Sequence, residues 1–117
     1  MSGGPLQSLI NGQQAEHISI RDRGIQYGDG CFETIRVLSN KPILWSAHLN
    51  RLEQACKTLH LSVNFELLQS EISQLLQGNK TADIILKITV TRGEGGRGYT
   101  PPDQADCTRI IQLIDYV

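Results

Sequence analysis

The spacing of apolar positions changes along the chain, and each change marks an element. Residues 6–10 and 13–17 flank Asn11-Gly12, a dipeptide that accepts positive φ at both centres of a type I′ turn, so a β-hairpin is predicted there. Residues 21–30 are rich in turn formers. From 31 to 38 the chain alternates with a period of two, which puts Phe32, Thr34, Arg36 and Leu38 on one side and Cys31, Glu33, Ile35 and Val37 on the other. Neither side is cleanly apolar. Ser39-Asn40 can turn the chain into a short strand over 42–45.

The period then lengthens. Ser46 is the predicted N-cap of a helix reaching to about 60, in which Leu49, Leu52, Cys56 and Leu59 recur at spacings of three and four. A second helix is predicted after Asn64, with Glu66 near the positive end of its dipole, Phe65, Leu68, Ile72, Leu75 and Leu76 on one face, and Gly78-Asn79 as a left-handed stop. Residues 82–91 are dense in β-branched side chains, a glycine-rich segment follows, and 108–117 reads as a last strand. Strands, two helices and strands again define an α+β class. The expected unit is a single domain over 1–117, an antiparallel sheet with two helices packed on one face.

Composition narrows the partners. A chain of 117 residues with 11 basic and 12 acidic side chains has a formal charge of −1, which offers no polyanion-binding or membrane-attracted surface. Nucleic acid and membrane are therefore not expected partners. Cys31, Cys56 and Cys107 are odd in number and widely spaced, fitting neither a disulfide framework nor a zinc site, so reduced thiols in a cytoplasmic protein are expected. No metal site is predicted; His48 lacks a ligand at i+4. No apolar run of ~18 residues is present, and the start lacks the basic and apolar regions of a secretory signal.

Candidate chemistry sits in three places. Residues 93–98 read GEGGRG, the spacing of a dinucleotide fingerprint, but Tyr99-Thr100-Pro101-Pro102 follows where that fingerprint must open a helix. The segment is either a long hairpin connection or a substrate loop in which Arg97 grips a carboxylate with two parallel hydrogen bonds. Arg51 lies with His48 and Ala55 along the border of the apolar stripe of the first helix; it is either an anion anchor or a surface arginine paired with Glu53 or Glu33. Phe32, Thr34 and Arg36 share a strand face, and an aromatic ring, a hydroxyl and a guanidinium in a row suit a planar anionic ligand as well as an ordinary mixed strand. Asp29 reads as a turn former bonding nearby backbone amides.

The segments YGDGCFETIRV, SAHLNRL and RGEGGRGY together resemble the amino-terminal half of the fold-type IV pyridoxal 5′-phosphate (PLP) enzymes, the class IV aminotransferase family. That family includes D-amino-acid and branched-chain aminotransferases and aminodeoxychorismate lyases, and the form RGEGGRGY is most similar to the lyases. The resemblance runs from residue 10 to about 116. It implies that Arg51 contacts the PLP phosphate and that Phe32, Thr34 and Arg36 line the substrate site. Arg97 and Tyr99 match an arginine and a histidine that, in D-amino-acid aminotransferase, catch the substrate carboxylate in the neighbouring subunit, so a homodimer is implied. Tyr99 for histidine and Phe32 for tyrosine are departures from that aminotransferase.

The implied reaction converts aminodeoxychorismate to pyruvate and p-aminobenzoate, a folate precursor. None of Lys41, Lys57, Lys80 and Lys87 matches the family's Schiff-base lysine, which belongs to a carboxy-terminal domain. No catalytic residue is therefore expected in this chain, which alone is expected to be inactive and to hold PLP weakly or not at all. A class IV aminotransferase domain and a non-catalytic dimerising or binding module are the alternatives.

Overall fold

The Asn11-Gly12 turn forms as its sequence dictates, with φ of 52° and 81°, and joins β1 (Pro5–Ile10) to β2 (Gln13–Gln14) in the computed structural model, which describes residues 5–96 and 106–116. β2 stops early because the chain turns away after Gln14, held where the Ser8 hydroxyl donates to the Ala15 carbonyl. The turn-rich stretch contains a short helix that periodicity did not reveal, α1 (Arg23–Tyr27). Asp22 caps it, Oδ1 accepting from the Gly24 N–H at 2.8 Å, and Gly28 ends it at φ 64°.

β3 (Gly30–Leu38) turns at Ser39 and Asn40, both at positive φ, into β4 (Lys41–Pro42), which lies earlier than predicted. α2 (Trp45–Thr58) follows. Its N-cap is Leu44 in the left-handed region with no side-chain cap, so Ser46 lies inside the helix rather than at its start. α3 (Phe65–Gln77) has the predicted Asn64 cap, Oδ1 accepting from Leu67 N at 3.0 Å. Its end differs from expectation: Gly78 sits at φ −82°, a right-handed cap. β5 (Asp83–Thr91) and β6 (Thr108–Asp115) complete an antiparallel sheet of order β2-β1-β6-β5-β3-β4.

Both long helices cover one face of this sheet, confirming the α+β class. Leu52 and Cys56 of α2 and Leu68, Ile72 and Leu75 of α3 close over Ile35 and Val37 of β3, Ile84, Leu86, Ile88 and Val90 of β5, and Ile111 and Leu113 of β6. Each large aliphatic side chain buried this way contributes about 1.5–3 kcal/mol. All three cysteines are free; Cys31 and Cys56 lie 3.8 Å apart at Sγ, and burial pushes the Cys56 thiol up to about 12. Neither long helix packs on the opposite face of the sheet. No helix of the described residues is long and apolar enough to cross a membrane.

Gly30 marks where β3 and β5 lie too close for a side chain, since a Cβ there would stand 2.4 Å from the Val90 carbonyl oxygen. Gly30→Ala must push these strands apart, and a loss of about 1–3 kcal/mol in chemical denaturation is expected. An unchanged midpoint would contradict this strand packing.

Candidate functional site

Alternation sends Glu33 to the same side of β3 as Ile35 and Val37, so a carboxylate is carried toward the core under α2. An unpaired charge there would be costly, and α2 supplies the partners. Arg51, in the second turn, donates from Nε and Nη2 to the two carboxylate oxygens, each at 2.8 Å. His48, on the preceding turn, lies 2.7 Å from Glu33 Oε1 through Nδ1 and must carry its proton on that nitrogen to donate to an ionised acid. The Arg51 hydrogen bonds hold the Glu33 carboxyl below its ordinary range; burial opposes this and His48 adds to it.

Exposure separates this pair from the other ion pairs that hold the fold together. Arg109 clasps buried Glu71 at 2.9 and 2.7 Å, tying α3 to β6, and its side chain is 17 % exposed. Arg23 and Arg92 converge on Asp29 Oδ2 at 3.0 and 2.8 Å and are 4 % and 15 % exposed. Arg51 is 71 % exposed over a Glu33 that is 6 % exposed. Its guanidinium is fixed on one edge, while Nη1 and the outer N–H of Nη2 have no acceptor among the described residues. A pre-oriented fork with spare donors at the margin of the fold fits a phosphate dianion, so the donor set suits the cofactor that the family carries.

The other predicted residues divide. Phe32, Thr34 and Arg36 do share the uncovered face of β3, and the Phe32 ring is 60 % exposed. Arg36 is committed: both of its bonds go to Asp83, at 3.2 and 2.9 Å, and its guanidinium stacks 4.0 Å from the Tyr116 ring. Arg97 and Tyr99 lie outside the described residues. The start of their loop is held firmly, with Arg23 N donating to Gly93 O at 2.7 Å and Arg23 Nη1 to Gly95 O at 3.1 Å. Gly93, Gly95 and Gly96 all take positive φ, which explains the glycines at these positions.

Asp29 corrects the sequence reading. Its carboxylate binds two arginines rather than neighbouring amides, and Arg92 also reaches the carbonyls of Leu59 and His60 beyond the end of α2. Burial raises the Asp29 pKa, but the hydrogen bonds and charges of Arg92 and Arg23 outweigh it, and the pKa lies below its ordinary value. Glu33 was missed as a functional candidate. Its signal was available: an acid on the core side of a strand whose next core-side positions are Ile35 and Val37 demands a cationic partner.

The chain belongs to the class IV aminotransferase family: the family description "Amino-transferase class IV" matches residues 30–116, and members of this family are PLP-dependent enzymes. An aminodeoxychorismate lyase from Vibrio harveyi is 38 % identical over 93 residues, covering 79 % of this chain and 34 % of that protein. A D-alanine aminotransferase from Bacillus licheniformis is 31 % identical over 108 residues, covering 82 % of this chain and 38 % of the relative. The crystal structure of 4-amino-4-deoxychorismate lyase from Pseudomonas aeruginosa superposes with a TM-score of 0.82 at 38 % identity, over 92 % of this chain and 39 % of that one. The chain thus spans between a third and two fifths of the length of these proteins.

The pH dependence of stability follows from Glu33. Its folded pKa lies below the unfolded value of about 4.5, so its stabilising contribution is complete above that value and is lost as pH falls through the folded pKa. Glu33→Gln is expected to lower stability near neutral pH and to flatten the decline on acidification, followed by denaturant titration at several pH values. An acid limb as steep as that of the wild type would contradict the pairing.

Proposed function

We propose that this chain is the amino-terminal part of a PLP-dependent aminodeoxychorismate lyase, forming the cofactor-phosphate anchor and one wall of the substrate site. The observation that carries the cofactor half is the exposed Arg51 fork pinned on buried Glu33. The lyase half is supported by the 38 % identity to two proteins of that name and by the RGEGGRGY segment.

PLP, when bound, supplies an electron sink for loss of a proton from the substrate ring, with pyruvate and p-aminobenzoate as products. In this reading Arg51 holds the phosphate with the donors that Glu33 leaves over, and Glu33 with His48 keeps the fork from swinging into solvent. Phe32 offers a flat apolar surface to a ring, with Thr34 supplying a hydroxyl beside it. Arg97 and Tyr99 meet a substrate carboxylate from the glycine loop, in the site of a dimer mate. In this reading a carboxy-terminal domain supplies the Schiff-base lysine, and the 117 residues without it are expected to be inactive.

Release of p-aminobenzoate and pyruvate from enzymatically generated aminodeoxychorismate, with PLP added, tests the reading. Activity is expected at the full encoded length and not from the 117-residue chain. Activity in neither, with amino transfer to a 2-oxo acid instead, would replace the lyase by an aminotransferase. Within the full-length protein, Arg51→Ala is expected to weaken PLP retention by about tenfold or more, measured by dialysis and fluorescence titration. Unchanged retention would remove Arg51 from the cofactor site.

A further inference from the structure

The seam between β3 and α2 holds more than the Glu33 clasp. Alternation places Cys31 on the helix side of β3, one core-side position ahead of Glu33. Across the seam, Cys56 belongs to the apolar stripe of α2, one helical turn beyond Leu52. Strand and helix therefore meet at two neighbouring places, through Glu33 with Arg51 and His48, and through Cys31 with Cys56. The two sulfurs lie 3.8 Å apart although 25 positions separate them in sequence.

Their surroundings differ. Cys56 is 1 % exposed and sealed in the core, whereas Cys31, near the start of its strand, is only partly buried. Cys107 packs against the same core, but its thiol is engaged by the Ser62 backbone. Burial raises the pKa of both Cys31 and Cys56, so neither is a standing thiolate at neutral pH. A single thiol of that kind is inert packing. Two in contact are not, because once one sulfur is oxidised the other is already held against it, and that proximity offsets a low thiolate fraction.

We infer that Cys31 and Cys56 form a reversible redox latch, in which hydrogen peroxide oxidises the more accessible Cys31 and Cys56 then closes a disulfide that ties α2 to β3 beside the Glu33–Arg51 clasp. The inference goes beyond the lyase reading and does not depend on it. In the first step the Cys31 sulfur attacks the peroxide, the O–O bond breaks, and Cys31 becomes a sulfenic acid as one water leaves. In the second the Cys56 sulfur attacks the Cys31 sulfur, the S–O bond breaks, and a second water carries away the Cys56 proton. Two thiols thus lose two electrons and two protons, and the peroxide is reduced to two waters. The sulfurs need to close by about 1.8 Å, to the ~2.05 Å of a disulfide. While the bond lasts, openings that lift α2 from β3, and with it Arg51 from Glu33, are suppressed.

The test uses the protein at its full encoded length. Each cysteine falls in its own tryptic peptide, residues 24–36, 52–57 and 98–109, so the partner of each can be read directly. Reduced protein is exposed to hydrogen peroxide, its remaining thiols are alkylated, and the digest is analysed by mass spectrometry. Peptide 24–36 is expected joined to 52–57 with the loss of two hydrogens, and separated again by dithiothreitol. Cys107→Ala is expected to form the same bridge at a rate within about twofold of wild type. Backbone hydrogen exchange across α2, followed by mass spectrometry, is expected to be at least about threefold slower in the oxidised protein than in the reduced one. No joined peptide in the wild type, a bridge to Cys107 instead, Cys31 stopping at a sulfinic acid, or equal exchange of α2 in the two forms would overturn the latch.

Discussion

One buried carboxylate organises the side of this fold where chemistry is proposed. Glu33 occupies a core-side position of β3 ahead of Ile35 and Val37, where a charge persists only if it is hydrogen-bonded and neutralised. Satisfying it fixes α2 against β3 through Arg51 and His48, and it fixes the orientation of a guanidinium whose outer side faces solvent. Removing Arg51 would leave a buried carboxylate with only His48 beside it, whereas removing Glu33 would leave the exposed guanidinium free to move. The ion pair is therefore weak evidence for net stability and stronger evidence for positioning, because apolar side chains could fill the same space without orienting anything.

Around that pair the fold uses arginine repeatedly, and burial separates the uses. Arg23 and Arg92 on Asp29 bring α1, the start of β3, the end of β5 and the segment beyond α2 together, and through Gly93 and Gly95 they set the base of the glycine-rich loop. Arg109 on Glu71 seals α3 to β6. Those three guanidiniums are shielded and structural, whereas Arg51 is bound on one edge and open on the other. The uncovered sheet face repeats the contrast between Arg36, held by Asp83, and Lys87, which meets no acid among the described residues.

Much of this architecture was legible in the residues. Asn11-Gly12 specified its turn, the two-residue period placed Phe32, Thr34 and Arg36 on one face, and Leu52, Cys56, Leu68, Ile72 and Leu75 were identified as helix core. What failed was local geometry decided by tertiary contacts. Ser46 has the chemistry of a cap, yet the chain enters α2 through Leu44 at φ 56°, two residues too early for that cap to serve. α1 is too short for periodicity to show and is held by Asp22, whose other oxygen accepts from the Thr108 hydroxyl far along the chain. Arg51 was marked by its place on the helix border and by the SAHLNRL resemblance, and Glu33 was already one of its two possible partners; what spacing did not carry is that the clasp is two-pointed and that the acid is buried while the arginine stays exposed.

Whether Glu33 holds Arg51 still in solution is directly measurable from the Arg51 Nε–Hε resonance in nitrogen-15 NMR of the protein. A guanidinium clasped on two nitrogens exchanges its Hε with water slowly, so a resolved, protected signal is expected near neutral pH and its loss in Glu33→Gln. If the wild-type signal exchanges as fast as that of a free arginine, Glu33 does not position the fork, and the account of the phosphate site built on it is wrong.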